Sequence, residues 1–179
     1  MNQRCHNVNE DDNMSEKRYN VLVLCTGNSA RSILGEVLFN ALGKGRFVAH
    51  SAGSKPAGRV NPLALELLQQ QGHNIAGLRS KSWDEFAVAG APQIDFIFTV
   101  CDNAAGETCP VWPGRPATAH WGIPDPAAVT GDDTVKRAAF RKAYEQLARR
   151  IQLFMSLPIE KLDKLVLNQK LAEIGRIQD

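Results

Sequence analysis

Short apolar runs alternate with segments of helical periodicity between Val21 and Ser156. The apolar runs predict four strands, at 21–24, 47–51, 94–100 and 117–121. The segments between and after them predict helices at 32–42, 62–72 and 83–86, and from Asp132 or Asp133 to about Ser156. Continuous apolar strands that alternate with helices indicate a parallel sheet covered on both faces. We therefore expect an α/β fold of three αβα layers around a four-stranded parallel sheet.

Two segments lie outside this alternation. Residues 1–18 are polar, contain no apolar signal-peptide core, and are predicted to form a disordered tail before the α/β domain at 19–157. Residues 158–179 are expected to form an extra C-terminal helix that either packs on the domain or stays solvated. Its apolar positions recur at helical spacing: Leu162, Leu165, Val166, Leu167, Leu171 and Ile174. These positions also allow a dimer contact, so we expect a monomer or a weak dimer.

The composition excludes several classes of function. The chain has 179 residues, and 21 Lys plus Arg against 19 Asp plus Glu give a formal net charge of +2, which does not predict a nucleic-acid partner. No apolar run approaches the roughly 20 residues that span a bilayer, so no membrane association is expected. The expected compartment is a reducing cytoplasm. The four cysteines are therefore interpreted as catalytic or redox groups, except Cys5, which lies in the tail and is interpreted as incidental.

The strongest chemical signal lies between the first strand and the first helix, in the loop Cys25-Thr26-Gly27-Asn28-Ser29-Ala30-Arg31-Ser32. A strand, a tight loop and a helix N-terminus place a thiol beside a nest of backbone N–H groups that binds a tetrahedral oxyanion. We expect this environment and the Arg31 guanidinium to lower the pKa of Cys25. Arg31 can donate two parallel hydrogen bonds to the anion, and the Ser32 hydroxyl can donate to the sulfur.

The spacing Cys-x5-Arg alone also occurs by chance, in which case Cys25 is a buried structural cysteine and Arg31 a surface residue. Gly27 and Asn28 make the signal more specific, because they permit the backbone angles of a tight loop. In a parallel sheet the site lies at the carboxyl ends of the strands, which is where Cys25 falls. The predicted chemistry is nucleophilic attack of Cys25 on an oxyanion such as phosphate or arsenate.

The loop resembles the phosphate loop of the low-molecular-weight protein tyrosine phosphatase superfamily and, within it, of the arsenate reductases built on that fold. Four segments downstream match the family pattern in order: Ser51-Ala52-Gly53, Val60-Asn61-Pro62, Phe98-Thr99-Val100-Cys101-Asp102 and Asp125-Pro126. The similarity runs from about Asn20 to about Phe154. It implies that the backbone from Thr26 to Ser32 binds the oxyanion, and the family fold does not require the C-terminal segment.

In the thioredoxin-coupled arsenate reductases that this chain resembles, three cysteines act in turn. By that resemblance Cys25 attacks arsenate, Cys101 attacks the Cys25 sulfur as arsenite leaves, and Cys109 forms a disulfide with Cys101. The segment between Cys101 and Cys109 must fold back as a helical turn or loop, since a disulfide needs Cα atoms about 4.4–6.8 Å apart. Seven residues separate these two cysteines, one more than in the thioredoxin-coupled members. The reductant therefore stays open between thioredoxin and glutathione with glutaredoxin, and a thiol cofactor can replace Cys109.

Asp125 lies in a Pro- and Gly-rich loop, and the resemblance makes it the general acid for the leaving oxygen. Tyrosine phosphatases of the superfamily usually carry an aromatic residue after this Asp-Pro, whereas Ala127 and Ala128 follow here. Their presence favours a small anion over phosphotyrosine. The alternative is a phosphatase that uses Cys25, Arg31 and Asp125 through a phosphocysteine intermediate. A non-enzymatic oxyanion or redox-sensing module is disfavoured, because simple binding needs no acid.

No tightly bound cofactor is expected, and no metal is placed in the site. Some arsenate reductases of this family carry a potassium ion beside the phosphate loop, and Asn28, Glu36 and Ser51 match three positions of that site. Trp83 falls about where its aspartate is expected, so K+ near Asn28 stays an open alternative. His120, at the end of a predicted strand, is interpreted as structural.

Overall fold

The computed structural model describes residues 17–178, so almost all of the predicted tail, including Cys5, lies outside the described residues. Four parallel strands form one sheet in the order β2-β1-β3-β4. Their bounds are β1 (Tyr19–Cys25), β2 (Phe47–Gly53), β3 (Phe96–Thr99) and β4 (Ala117–His120). The prediction of a four-stranded parallel sheet is confirmed.

Within residues 17–178, five α-helices accompany the sheet: α1 (Arg31–Leu42), α2 (Pro62–Gln70), α3 (Asp102–Gly106), α4 (Asp133–Met155) and α5 (Lys164–Gly175). Short 3₁₀ turns lie at Trp83–Phe86, Pro126–Ala128 and Ile159–Lys161. Local chemistry fixes two helix starts. Asn61 accepts a hydrogen bond from the Leu63 N–H at 2.9 Å, and Asp132 accepts one from the Val135 N–H at 2.9 Å. Asp132 is therefore the residue that caps α4.

The two faces of the sheet are covered differently. Val21 and Val23 of β1 belong to a large cluster formed with α1, α2, α4 and α5. Leu22 and Leu24 alternate with them and pack in a smaller cluster around the turn at Trp83–Phe86. β1 is therefore buried on both faces, as its continuous apolar sequence predicts, and its carboxyl end places Cys25 at one edge of the sheet.

Helix α5 packs beside β4. Leu167, Leu171 and Ile174 are buried against the large cluster, whereas Leu165 is 69% exposed. The indole Nε1 of Trp121 donates a hydrogen bond to the Leu171 carbonyl at 2.9 Å. The apolar residues of α5 therefore extend the core of the α/β domain. Within 17–178, no helix has the length and the apolar content needed to cross a membrane.

Candidate active site

The loop from Thr26 to Ala30 joins β1 to α1, and its carbonyl groups point away from Cys25. The carbonyls of Thr26, Gly27 and Ser29 accept hydrogen bonds at 2.8–3.0 Å from backbone N–H groups of residues 55–61. The N–H that follows each carbonyl points the opposite way in a trans peptide, so the next N–H groups turn inward. Among them, the Asn28 N–H lies 3.2 Å from Cys25 Sγ. This arrangement presents backbone donors to an anion beside the sulfur.

Asn28 holds the loop in this shape. The residue is fully buried and adopts φ of +43°, a left-handed conformation that asparagine tolerates. Its side-chain Nδ2 donates to the hydroxyls of Ser32 and Ser51, both at 2.9 Å, and its Oδ1 accepts the Lys81 N–H at 2.8 Å. One side chain therefore connects the loop, α1, β2 and the segment before the turn at Trp83–Phe86.

Cys25 is buried, with its Sγ 2.8 Å from the Ser32 hydroxyl. Burial raises the pKa of the Cys25 thiol above its ordinary value, since the charged thiolate loses water. Hydrogen bonds from Ser32 and the Asn28 N–H act in the opposite direction but do not outweigh burial. The expectation that the pKa of Cys25 is lowered is therefore wrong for the resting site.

Arg31 and Asp125 meet at the mouth of the loop. Arg31 Nη2 lies 3.3 Å from Asp125 Oδ2, and Arg31 Nη1 donates to the Ile123 carbonyl at 3.1 Å. The other carboxylate oxygen, Asp125 Oδ1, accepts the Ala127 N–H at 3.1 Å. The structure thus brings the predicted anion-binding guanidinium and the predicted acid together, although they are 94 residues apart in the sequence.

The structure brings Cys101 to the loop but not Cys109. Cys101 Sγ lies 3.6 Å from the Thr26 hydroxyl and accepts the Ala104 N–H at 3.4 Å, which caps α3. Cys101 belongs to the large cluster, whereas half-buried Cys109 packs with Trp112 against the smaller one. All three described cysteines are free thiols. Burial and then the Glu107 charge raise the pKa of Cys109. A bond between Cys101 and Cys109 therefore requires the segment from 102 to 109 to rearrange.

Lys81 is a site residue that the sequence analysis missed. Its side chain is buried, and its Nζ lies 3.5 Å from Glu36 Oε2 and 3.3 Å from the Arg79 carbonyl. Glu36 also accepts a hydrogen bond from the Ser51 hydroxyl, so the ammonium charge reaches Asn28 through a chain of hydrogen bonds. A single lysine in a loop belongs to no periodic pattern, so the sequence does not predict that Lys81 lies at the site.

A potassium ion does not fit this donor set. The Lys81 ammonium already lies against the Glu36 carboxylate, and Trp83 supplies no oxygen ligand. No group of three or more His, Cys, Asp or Glu side chains within the described part of the chain is arranged to hold a metal ion. The chemistry of the site is accordingly derived without a cation.

His120 connects three elements next to the site. Its Nδ1 lies 2.8 Å from the Thr99 hydroxyl on β3, and its Nε2 lies 2.9 Å from Asp102 Oδ1 on α3. A Cβ on Gly122 would lie 2.5 Å from that Nε2, so a larger residue at position 122 would displace the imidazole ring. These contacts support a structural role for His120.

Comparisons with known proteins agree with this geometry. Residues 20–168 match the family model of the low molecular weight phosphotyrosine protein phosphatases. An arsenate reductase from Halalkalibacterium halodurans is 34% identical over 134 residues, which are 75% of this chain and 93% of the relative. A thioredoxin-dependent arsenate reductase from Corynebacterium glutamicum superposes with a TM-score of 0.56 at 25% identity, over 77% of this chain and 60% of that chain. A low molecular weight protein tyrosine phosphatase from T. tengcongensis superposes with a TM-score of 0.62 at 25% identity, over 80% and 99%. Proteins named as arsenate reductases and as tyrosine phosphatases therefore share this fold. The choice between the two activities depends on the residues of the site.

Proposed function

Because the chain belongs to the low molecular weight phosphotyrosine protein phosphatase family, we propose that it binds a tetrahedral oxyanion in the Cys25 loop and reduces arsenate to arsenite. The observation that carries this proposal is the placement of Cys101, whose Sγ lies 3.6 Å from the Thr26 hydroxyl beside the nucleophile. A phosphatase needs no second thiol at this position. Curated relatives named as arsenate reductases support the same choice of anion.

The first step forms a bond between sulfur and arsenic. Arsenate lies among the inward N–H groups of the loop, with Arg31 donating to two of its oxygens. Cys25 attacks arsenic as the thiolate, and one arsenic–oxygen bond breaks. Asp125 in its acid form gives a proton to the departing oxygen, which leaves as water. The hydrogen bond from Ser32 stabilises the sulfur as nucleophile and later as leaving group.

The second step transfers two electrons. The Cys101 thiolate attacks the Cys25 sulfur, a sulfur–sulfur bond forms, and the sulfur–arsenic bond breaks with its electron pair staying on arsenic. Arsenic(V) becomes arsenic(III) and leaves as arsenite. Cys109 then attacks the Cys101 sulfur and releases Cys25 as a thiolate. An external reductant, either one dithiol or two molecules of a monothiol, reduces the Cys101–Cys109 disulfide and is itself oxidised to a disulfide.

Thioredoxin and glutathione with glutaredoxin are both candidates for that reductant. The C. glutamicum structure is named as thioredoxin-dependent, which supports thioredoxin. The extra residue between Cys101 and Cys109 leaves glutathione with glutaredoxin as the alternative. Cytoplasmic reduction of arsenate for arsenic resistance is the setting in which either reductant is available.

Phosphate monoester hydrolysis is the second candidate function. It shares the first step, after which water attacks a phosphocysteine. Arg31 and Asp125 serve both reactions, so their contact does not separate them. The residues after Asp125-Pro126 are Ala127 and Ala128, both exposed, and neither can stack on the ring of a phosphotyrosine. Their small side chains favour a small anion.

The proposal is tested by comparing the wild type with Cys101→Ser in two assays. The first follows arsenate-dependent oxidation of supplied thioredoxin or of glutathione with glutaredoxin, each run separately. The second follows hydrolysis of an aryl phosphate. We expect Cys101→Ser to lose arsenate reduction by about 1,000-fold or more and to keep aryl phosphate hydrolysis within about twofold.

Cys25→Ser is the control, and it should lose both activities. Arsenate reduction by Cys101→Ser at the wild-type rate would reject the cysteine relay. A wild type that hydrolyses aryl phosphates but oxidises neither reductant in the presence of arsenate would favour the phosphatase.

A further inference from the structure

The C-terminal helix α5 contacts the loop that carries Asp125. Trp121 begins this loop and is fully buried, with its ring stacked on Phe98 at a centroid distance of 4.0 Å. Its Nε1 donates to the carbonyl of Leu171, itself fully buried in α5, at 2.9 Å. The first residue of the loop is therefore held between the sheet and α5.

Arg150 of α4 joins the same loop to the end of α5. Its Nη1 donates to the carbonyls of Trp121 and Gly122 at 2.8 and 3.0 Å, and its Nη2 donates to the Ile177 carbonyl at 3.2 Å. The guanidinium is buried, so water competes little for these hydrogen bonds. Displacing the residues after α5 would therefore also disturb the backbone at Trp121 and Gly122.

The far end of the loop is held by the active site. Arg31 contacts the Ile123 carbonyl at 3.1 Å and the Asp125 carboxylate at 3.3 Å. Ile123 directly follows Gly122, whose carbonyl Arg150 holds. A stiff segment with Pro124 and Pro126 thus connects α5 to the acid, and small shifts at one end are transmitted to the other.

Gly175, the last residue of α5, lies directly against the backbone before the loop. A Cβ at Gly175 would lie 2.3 Å from the His120 carbonyl oxygen and 2.8 Å from Trp121 Cδ1. Both distances are far below van der Waals contact, so either α5 or the loop would have to move. The close approach of α5 therefore depends on the absence of a side chain.

We propose that α5 acts as a brace that sets the position of Asp125 over the bound anion, with Gly175, Leu171 and Arg150 as positioning residues. The proposal deepens the function proposed above and rests on Asp125 being the general acid. The C-terminal segment then has a role in the reaction. The anion loop binds the substrate without α5, and α5 holds the Asp125 carboxyl where it can protonate the leaving group.

The test uses Gly175→Ala in the full chain and two aryl phosphates. Phenyl phosphate has a poor leaving group that needs a proton, whereas 2,4-dinitrophenyl phosphate has a good one that does not. We expect kcat/KM for phenyl phosphate to fall about tenfold and kcat/KM for the dinitrophenyl ester to change by less than about twofold. The ratio kcat/KM reports cleavage of the ester, whereas kcat also contains hydrolysis of the phosphocysteine that both esters share. A general loss of folded protein would lower both rates equally.

Two further variants provide a second test of the brace and a control. Trp121→Phe keeps the stacked ring but removes the hydrogen bond to Leu171, and it should show the same selective loss at about threefold. Gln169→Ala lies on the exposed side of α5 and should change neither rate.

The Asp125→Asn variant distinguishes the proposed role of α5 as a brace from the assignment of Asp125 as the general acid. If Asp125→Asn shows the selective loss and Gly175→Ala and Trp121→Phe do not, the brace is rejected while the acid stands. If Asp125→Asn affects both esters equally or not at all, the assignment of the acid fails and the brace fails with it.

Discussion

Cys25 is subject to two opposing effects. Its side chain is 4% exposed, and loss of water favours the neutral thiol. The Ser32 hydroxyl and the Asn28 N–H favour the thiolate, yet the pKa of Cys25 is still raised, with burial as the largest cause. The resting protein therefore holds mainly a thiol at neutral pH.

The pH dependence of Cys25 alkylation follows from this balance. In a variant with Cys5, Cys101 and Cys109 changed to serine, the rate with iodoacetamide should rise with pH through a midpoint above about 8.5, the ordinary value for cysteine. Ser32→Ala should raise the midpoint further, because one stabilising hydrogen bond is lost. Mass spectrometry of the modified peptide measures the rate, and a midpoint below about 8 would contradict the prediction.

The raised pKa of Cys25 also makes the stability of the protein depend on pH. The folded protein binds the Cys25 proton more tightly than the unfolded chain does, so this group adds stability below the unfolded pKa. That contribution is lost as the pH rises through the raised folded pKa. Urea unfolding of the same variant between neutral and alkaline pH should show the decline.

How far the sequence predicts the site depends on how local its contacts are. Cys25, Asn28 and Ser32 lie within eight consecutive residues, and the motif identifies them together. Lys81 contacts Glu36 across 45 residues, and only the pairing of β1 with β2 and the return of the chain at Ser82 bring them together. Contacts between residues this far apart along the chain produce no recognisable spacing of residue types in the sequence.

At the scale of elements, apolar periodicity predicts the strands and long helices but not α3. β3 is shorter than the apolar run at 94–100, because only Phe96–Thr99 pairs with strands on both sides. α3 is short and polar, and a cysteine side chain caps it. The sequence requires the chain after Cys101 to fold back but cannot choose between a helical turn and a loop.

Formation of the Cys101–Cys109 disulfide should open α3. In the reduced protein the N–H of Ala104 is bonded to Cys101 Sγ and the N–H of Ala105 to the Cys101 carbonyl. Oxidation moves that sulfur toward Cys109, which packs against the other cluster. We expect diamide oxidation of Cys25→Ser to speed hydrogen exchange at both amides by about tenfold or more, measured by mass spectrometry. Peptides from α2 serve as the control, and unchanged exchange in α3 after complete oxidation would show that the disulfide forms without opening the helix.

At the scale of the whole molecule, most of the aromatic side chains that stabilise the fold lie apart from those that perform the chemistry. Phe154 near the end of α4 is fully buried and contacts aromatic rings from the central strand β3 and from α1, β2 and the loop after β4: Phe39, Phe47, Phe96, Phe98 and Trp121. None of these rings hydrogen-bonds to Cys25, Arg31 or Asp125 in the described structure. The phenylalanines of this cluster therefore stabilise the fold without a hydrogen bond to Cys25, whereas Trp121 also begins the loop that carries Asp125.

Phe154→Ala should reduce the free energy of unfolding by about 3–5 kcal/mol, because it leaves a cavity among these rings. Leu153→Ala, at the neighbouring position and 38% exposed, should cost about 0.5 kcal/mol or less. Urea unfolding measures both variants. At temperatures where Phe154→Ala remains folded, Cys25 should be alkylated within about twofold of the wild-type rate, since its contacts come from the loop and α1. A large drop in alkylation without unfolding would mean that the aromatic cluster also controls the shape of the anion loop.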